Sequence, residues 1–174
     1  GAGDGYYGVG LLRSGMVQRS ICFEQNAEGQ AAIKVCAEAN SMADHISILG
    51  QAEANFLDLP ELQQVNLARC LIVIDIEGAE FALLSAGLLD RLRPAEIIIE
   101  LHGGFFPKDP NIEARLLNLL QERFDCELLT MGTRDLSGIP EVARFNDSDR
   151  WLLCSEGRPF QMRWVHCRPR QAEI

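Results

Sequence analysis

Short apolar runs of strand length alternate with stretches of helical period through most of this chain, and that alternation limits its fold more than any other feature. RSICFE (19–24), HISILGQ (45–51), CLIVIDIEG (70–78) and AEIIIELHGG (95–104) read as strands. The last two are almost continuously apolar at their centres, as strands covered on both faces should be. A helix is expected over 6–14, another over 26–40 with Asn26 as its N-cap, and a helical stretch near 60–68. AEFALLSAGLLDRLR (79–93) reads as one amphipathic helix closed by Pro94, and NIEARLLNLLQERF (111–124) as the next. The tail changes character: CELLTMG, RWLLCSE and FQMRWVH read as strands without a helix between them. The order predicts one α/β domain over 1–174, a mostly parallel sheet with helices on both faces and an antiparallel strand at one edge.

Composition narrows the partners. With 174 residues the chain is long enough for a real core, and an apolar content of 47% argues for a folded globule. A net charge of −9 argues against nucleic acid, whose binders carry basic surface. No apolar run reaches the ~18 residues of a spanning helix, and no signal segment is visible ahead of Gly1. The six cysteines are spread without a CxxC pair, which favours free thiols in a reducing, cytoplasmic setting over disulfides or zinc.

The chemistry-bearing signals sit at the expected strand ends. GAGDGYYGVG opens with glycine at positions 1, 3 and 5 and leads into the first helix. Glycine serves where a backbone must turn to positive φ or approach a ligand closely. A dinucleotide fingerprint would need glycine at position 6, where Tyr6 stands, so a pyrophosphate cradle is disfavoured. A nicotinamide-dependent dehydrogenase is therefore the rival enzyme reading, and a non-catalytic nucleotide-binding module the other. Glu24 ends a strand 19 residues beyond Gly5, where an acid can accept both hydroxyls of a ribose. Together the two signals point to an adenosyl nucleoside. A strand feeding such a loop is central in folds of this kind, so one is expected upstream of Gly1, between the strands 19–24 and 70–76.

At this point a resemblance becomes specific. The loop GAGDGYYGVG, the acid in CFEQN, IDIEGAEFALL after one buried strand and IIIELHGG after the next resemble the FkbM-type family of S-adenosylmethionine-dependent methyltransferases. The likeness runs in order across about residues 1–104, and IDIEGAE followed by IIIELH is its most specific part. It implies a seven-stranded Rossmann-like sheet, S-adenosylmethionine as methyl donor and S-adenosylhomocysteine as product. The methyl acceptor it implies is a hydroxyl of a sugar, lipid or secondary metabolite. Members often carry asparagine at the third loop position, where this chain has Gly3.

Gly1, Gly3, Gly5, Tyr6, Glu24, Gln51 and Asp75 are the expected cofactor contacts, with Gln51 able to donate to and accept from an adenine edge. Asp75, Glu100 and His102 are the expected catalytic groups, because an acid ending an apolar buried strand is costly without a function. Strand geometry puts Asp75 and Glu77 on one face, and Glu80 reads as a cap on the following helix. His102 titrates near neutrality and suits proton transfer from a hydroxyl. Three carboxylates and a histidine suffice for Mg²⁺, but no spacing rule singles out a metal, and none is expected.

Overall fold

The structure is a computed structural model in which residues 1–130, 135–154 and 162–170 are described. Its elements follow the alternation read from the sequence. Helix α1 (Tyr6–Arg13) leaves the glycine loop and leads to β1 (Ser20–Phe23). Helix α2 (Ala27–Ala39) is capped by Asn26, whose side chain accepts from the Glu28 amide at 2.9 Å, and leads to β2 (Ile46–Leu49). Then come β3 (Leu71–Ile74), α3 (Glu80–Leu83), α4 (Ala86–Leu92), β4 (Glu96–Leu101), α5 (Ile112–Gln121), β5 (Phe124–Thr130), α6 (Asp147–Cys154) and β6 (Arg163–Pro169).

The strands form two sheets. β1 and β2 pair in parallel, and a four-stranded sheet has the order β3-β4-β6-β5. Within the latter β3 and β4 are parallel, while β6 runs antiparallel to both β4 and β5. The last strands do pair antiparallel, but the antiparallel strand β6 lies between β4 and β5 rather than at the edge, and among the described residues six strands in two sheets stand where seven in one were expected. One reason lies in RWLLCSE, whose described residues belong to helix α6 rather than to a strand. The Asn146 side chain accepts from the Asp149 amide at 3.0 Å, and Asp147 and Asp149 occupy the first turn, a start that favours a helix. No ladder joins β1 to β3 among the described residues. β3 is half-buried over Leu71–Val73 rather than covered throughout.

Two other expectations change in detail. The helix anticipated over 79–93 is broken into α3 and α4, because Leu84 leaves helical geometry and the Ser85 hydroxyl caps α4 by accepting from the Leu88 amide at 3.3 Å. The stretch near 60–68 makes only single 3₁₀ turns at Pro60–Leu62 and Leu67–Arg69.

The core lies on one face of the larger sheet. Alternation along β4 sends Ile97, Ile99 and Leu101 to that face, where they meet Leu88, Leu89 and Leu92 of α4, Leu116 and Leu120 of α5, and Val165 of β6. The opposite face of β4 carries Glu100, opposite Trp164 of β6, and is the face that leads to the site. Among the described residues no helix is long and apolar enough to cross a membrane. The cysteines described are free thiols.

Because Leu89 is fully buried and Val35 is 65% exposed, the two positions should respond very differently to truncation. Leu89→Ala should lower unfolding free energy by ~2–5 kcal/mol in denaturant titrations, against within about 0.5 kcal/mol for Val35→Ala.

Candidate active site

The glycine loop is held between the ends of β1 and β3. The Ala2 amide donates to the Phe23 carbonyl at 2.9 Å and the Gly5 amide to the Ala2 carbonyl at 2.8 Å. Gly3 and Gly5 both have positive φ, at 57° and 92°, which accounts for glycine at these positions. On the other side, a Cβ on Gly1 would lie 2.5 Å from the Asp75 carbonyl oxygen, so only glycine lets the loop press against the end of β3.

Glu24 fastens this loop. It is 8% exposed, and its two carboxylate oxygens accept from the Gly3 amide at 2.8 Å and the Asn26 amide at 2.9 Å. Burial alone would raise its pKa, but these amides at Asn26 and Gly3 outweigh burial and hold the carboxyl below its ordinary value. Each oxygen keeps a further lone pair for a ligand. Gly29, in the first turn of α2, completes the packing: a Cβ there would meet the Glu24 side chain at 2.8 Å and the Gly3 carbonyl at 3.0 Å. Sequence reasoning passed over Gly29, although a glycine inside an otherwise good helix costs ~1 kcal/mol relative to alanine and so signals a close approach.

The second half of the site gathers at the ends of β3 and β4. His102 is 1% exposed, and both its backbone amide and its Nδ1 lie against Glu80 Oε1, at 2.9 and 3.1 Å. The other oxygen of Glu80 accepts from the Gly78 amide at 2.9 Å. Glu80 is fully buried, and a buried carboxylate needs such partners. It is therefore no simple helix cap: it ties the turn after β3 to the end of β4 and sets the orientation of His102. The sequence offered a signal in its position, five residues after Asp75 and inside the same IDIEGAE motif, but not the contact.

His102 Nε2 points to three further carboxylates, Glu77 at 3.4 Å, Asp75 at 3.6 Å and Glu100 at 3.8 Å. The strand β3 stops at Ile74, so Glu77 reaches this position by a turn rather than by strand alternation. Glu77 and Gly78 adopt φ of 54° and 99°, and Gly78 packs under the Phe106 ring. Burial, followed by the Glu100 carboxyl beside it, pushes Asp75 up to about 6. That is near the range in which a carboxylate works as a general base at neutral pH. For His102, burial works downward, but the Glu80 hydrogen bond and the charges of Glu80, Glu77 and Asp75 prevail and raise its pKa.

Of the other expected residues, Gln51 lies just beyond β2 and is exposed. Tyr6 is 76% exposed at the start of α1, and Tyr7 makes an edge contact with Trp164, ring centroids 5.9 Å apart. The structure thus joins Gly1, Gly3, Gly5 and Glu24 in one group and Asp75, Glu100 and His102 in another. Gly1 against the Asp75 carbonyl connects the two.

No protein-family model and no curated protein matches the sequence. Solved structures do. A Streptococcus pneumoniae protein described as a proposed tRNA (m1A22) methyltransferase aligns with 100% of this chain at a TM-score of 0.56 and 15% identity. An O-methyltransferase from Bacillus cereus in complex with SAH aligns with 87% of it at 0.57 and 11%. A Corynebacterium diphtheriae domain described as a proposed precorrin-6Y C5,15-methyltransferase aligns with 96% at 0.53 and 14%, over 84% of its own length. The fold is the one these methyltransferases share. The chain spans 63% of the length of the Streptococcus and Bacillus proteins. Likeness at this identity concerns the fold, and the chemistry rests on the residues above.

Glu24→Gln should test the loop anchor without reference to any ligand, since it sets an NH₂ group against one of the two amides. The native carboxylate has a lowered pKa, so its stabilisation is present above the ordinary value of 4.5 and lost as pH falls through the folded value. Thermal or denaturant melts should show the variant about 1.5–3 kcal/mol less stable at pH 7, with the difference shrinking in acid.

Proposed function

We propose that this domain, over 1–174, is an S-adenosylmethionine-dependent methyltransferase of the FkbM type that methylates a hydroxyl oxygen of a small molecule or glycan. The single observation that carries the reading is the join of two half-sites: the Glu24-fastened glycine loop lies against Asp75, the first residue of the carboxylate–histidine cluster. The IDIEGAE and IIIELH motifs that supply that cluster support the finer family assignment and, through it, an oxygen acceptor.

The loop and its anchor fit the donor. Gly3 is open on the side where a Cβ would stand, so the backbone there can approach a ligand directly. The spare lone pairs of Glu24 suit two ribose hydroxyls, and Gln51 beyond β2 suits an adenine edge. S-adenosylmethionine would supply an electrophilic methyl group. The protein's own contribution is to align an acceptor oxygen with that carbon and to exclude water. As the oxygen gains its new bond, its proton passes to the Asp75–Glu100 carboxyl pair, to which His102 Nε2 is turned at 3.6 and 3.8 Å. Glu80 fixes His102 in that orientation.

The acidic balance and the scattered cysteines favour a soluble acceptor over nucleic acid and a cytoplasmic setting. A nicotinamide cofactor is the weaker reading, because Tyr6 fills the position where its fingerprint needs glycine.

Calorimetry should detect S-adenosylhomocysteine binding to the wild-type protein, and Glu24→Ala should weaken it by ~1.5–3 kcal/mol. Asp75→Asn should cut turnover on a hydroxyl acceptor by ~10²–10⁴ while that affinity stays near normal. Tighter binding of a nicotinamide dinucleotide than of S-adenosylhomocysteine would reverse the reading.

A further inference from the structure

The carboxylates around His102 are more numerous, and more tightly turned toward one point, than proton transfer requires. Asp75 Oδ1 is buried and accepts no hydrogen bond. Its nearest ionic partner is His102 Nε2 at 3.6 Å, too far for a hydrogen bond. His102 is itself 1% exposed, and with Nδ1 engaged by Glu80 its Nε2 is turned to Glu77 at 3.4 Å, Asp75 at 3.6 Å and Glu100 at 3.8 Å. That nitrogen faces Glu77, which reaches it from a left-handed backbone conformation that costs a non-glycine residue about 1–2 kcal/mol. Strain spent to bring a third carboxylate over two others is unfavourable unless a positive charge joins them.

We propose that Asp75 Oδ1, Glu77 and His102 Nε2 bind a divalent first-row transition cation at the mouth of the site. Ligand atoms of the three residues lie within 4.8 Å of one another, close to the ~4–4.6 Å that two bonds of ~2.0–2.3 Å span across one ion. One imidazole with two carboxylates suits Mn²⁺, Fe²⁺, Co²⁺ or Zn²⁺ rather than Mg²⁺ or Ca²⁺, which favour oxygen alone. The Glu80–His102 hydrogen bond is the outer-shell contact that such a histidine needs, fixing Nδ1 as donor and leaving the Nε2 lone pair for the metal. Glu80 is thus a positioning residue. The cation completes the carboxylate cluster and leaves open coordination positions on its solvent side, where Glu77 is 74% exposed. Resting on the methyltransferase reading, those positions hold the acceptor's hydroxyl oxygen, while the Asp75–Glu100 pair remains the proton's destination.

The test is a titration of the full chain with Mn²⁺ alone, followed by electron paramagnetic resonance and calorimetry, with no donor or acceptor present. One ion should bind per chain. Glu77→Gln should weaken binding tenfold or more at unchanged melting temperature, because that side chain is mostly in water. Glu80→Gln should weaken it by ~10–100-fold. Glu61→Gln, an exposed acid elsewhere, should leave it unchanged. Equal affinity in wild type and Glu77→Gln, or equal loss in Glu61→Gln, would mean diffuse attraction to an acidic surface and overturn the site. A parallel titration with S-adenosylhomocysteine separates the two ideas. Donor binding without specific Mn²⁺ removes only the cation, and specific Mn²⁺ without donor binding keeps the cation and removes the methyltransferase reading.

Discussion

Everything at the candidate site depends on one buried carboxylate. Glu80 is removed from water and therefore must be satisfied by the protein, and it is, by the Gly78 amide on one oxygen and by the amide and Nδ1 of His102 on the other. Those contacts join a turn after β3 to the end of β4, two points 22 residues apart in sequence. They also leave the imidazole a single orientation, with Nε2 directed at Asp75, Glu77 and Glu100. Without Glu80 the three carboxylates would meet only one another, and their mutual repulsion would spread them apart.

The glycine loop repeats the same device at lower density. Glu24 is nearly buried and is balanced by two backbone amides, and again the contact spans elements that are distant in sequence. Glycine at positions 1 and 29 is explained by these approaches: a side chain at Gly1 would strike β3, and one at Gly29 would strike Glu24 and the loop. The two anchored carboxylates, Glu24 and Glu80, do not touch. They are related through the loop, whose first residue rests on the Asp75 carbonyl. A donor bound to the loop and an acceptor bound over the cluster would therefore meet at that contact, which is the physical basis for reading the two as one site.

Much of this was legible in the sequence where the signal is local. Asn26 caps α2 as its side-chain chemistry predicts, and the apolar runs placed the starts of β1 to β4 within one residue, while β3 and β4 end four and three residues earlier than the runs suggest. Errors arose where a local pattern competes with a local alternative. The amphipathic run over 79–93 conceals a break, because Ser85 offers a hydroxyl to the Leu88 amide and restarts the helix. In RWLLCSE the apolar pair suits a strand or a helix, and the capping residues Asn146 and Asp147 just before it decide for the helix. Glu80 looked like a helix-dipole acid, since nothing within IDIEGAE reveals that His102 lies across from it.

By itself the sequence determined the fold class, the strand ends where polar residues gather, and the glycines that permit positive φ, because periodicity and backbone sterics act over a few residues. It also carried the residue types from which a methyltransferase site can be built. Only the tertiary structure decided how those residues meet. The turn at Glu77 and Gly78, the approach of β4 to β3 and the burial of Glu80 together turn four acids and a histidine from two separate motifs into one cluster. Contacts of that kind depend on distances across a sheet, and sequence spacing contains no measure of them.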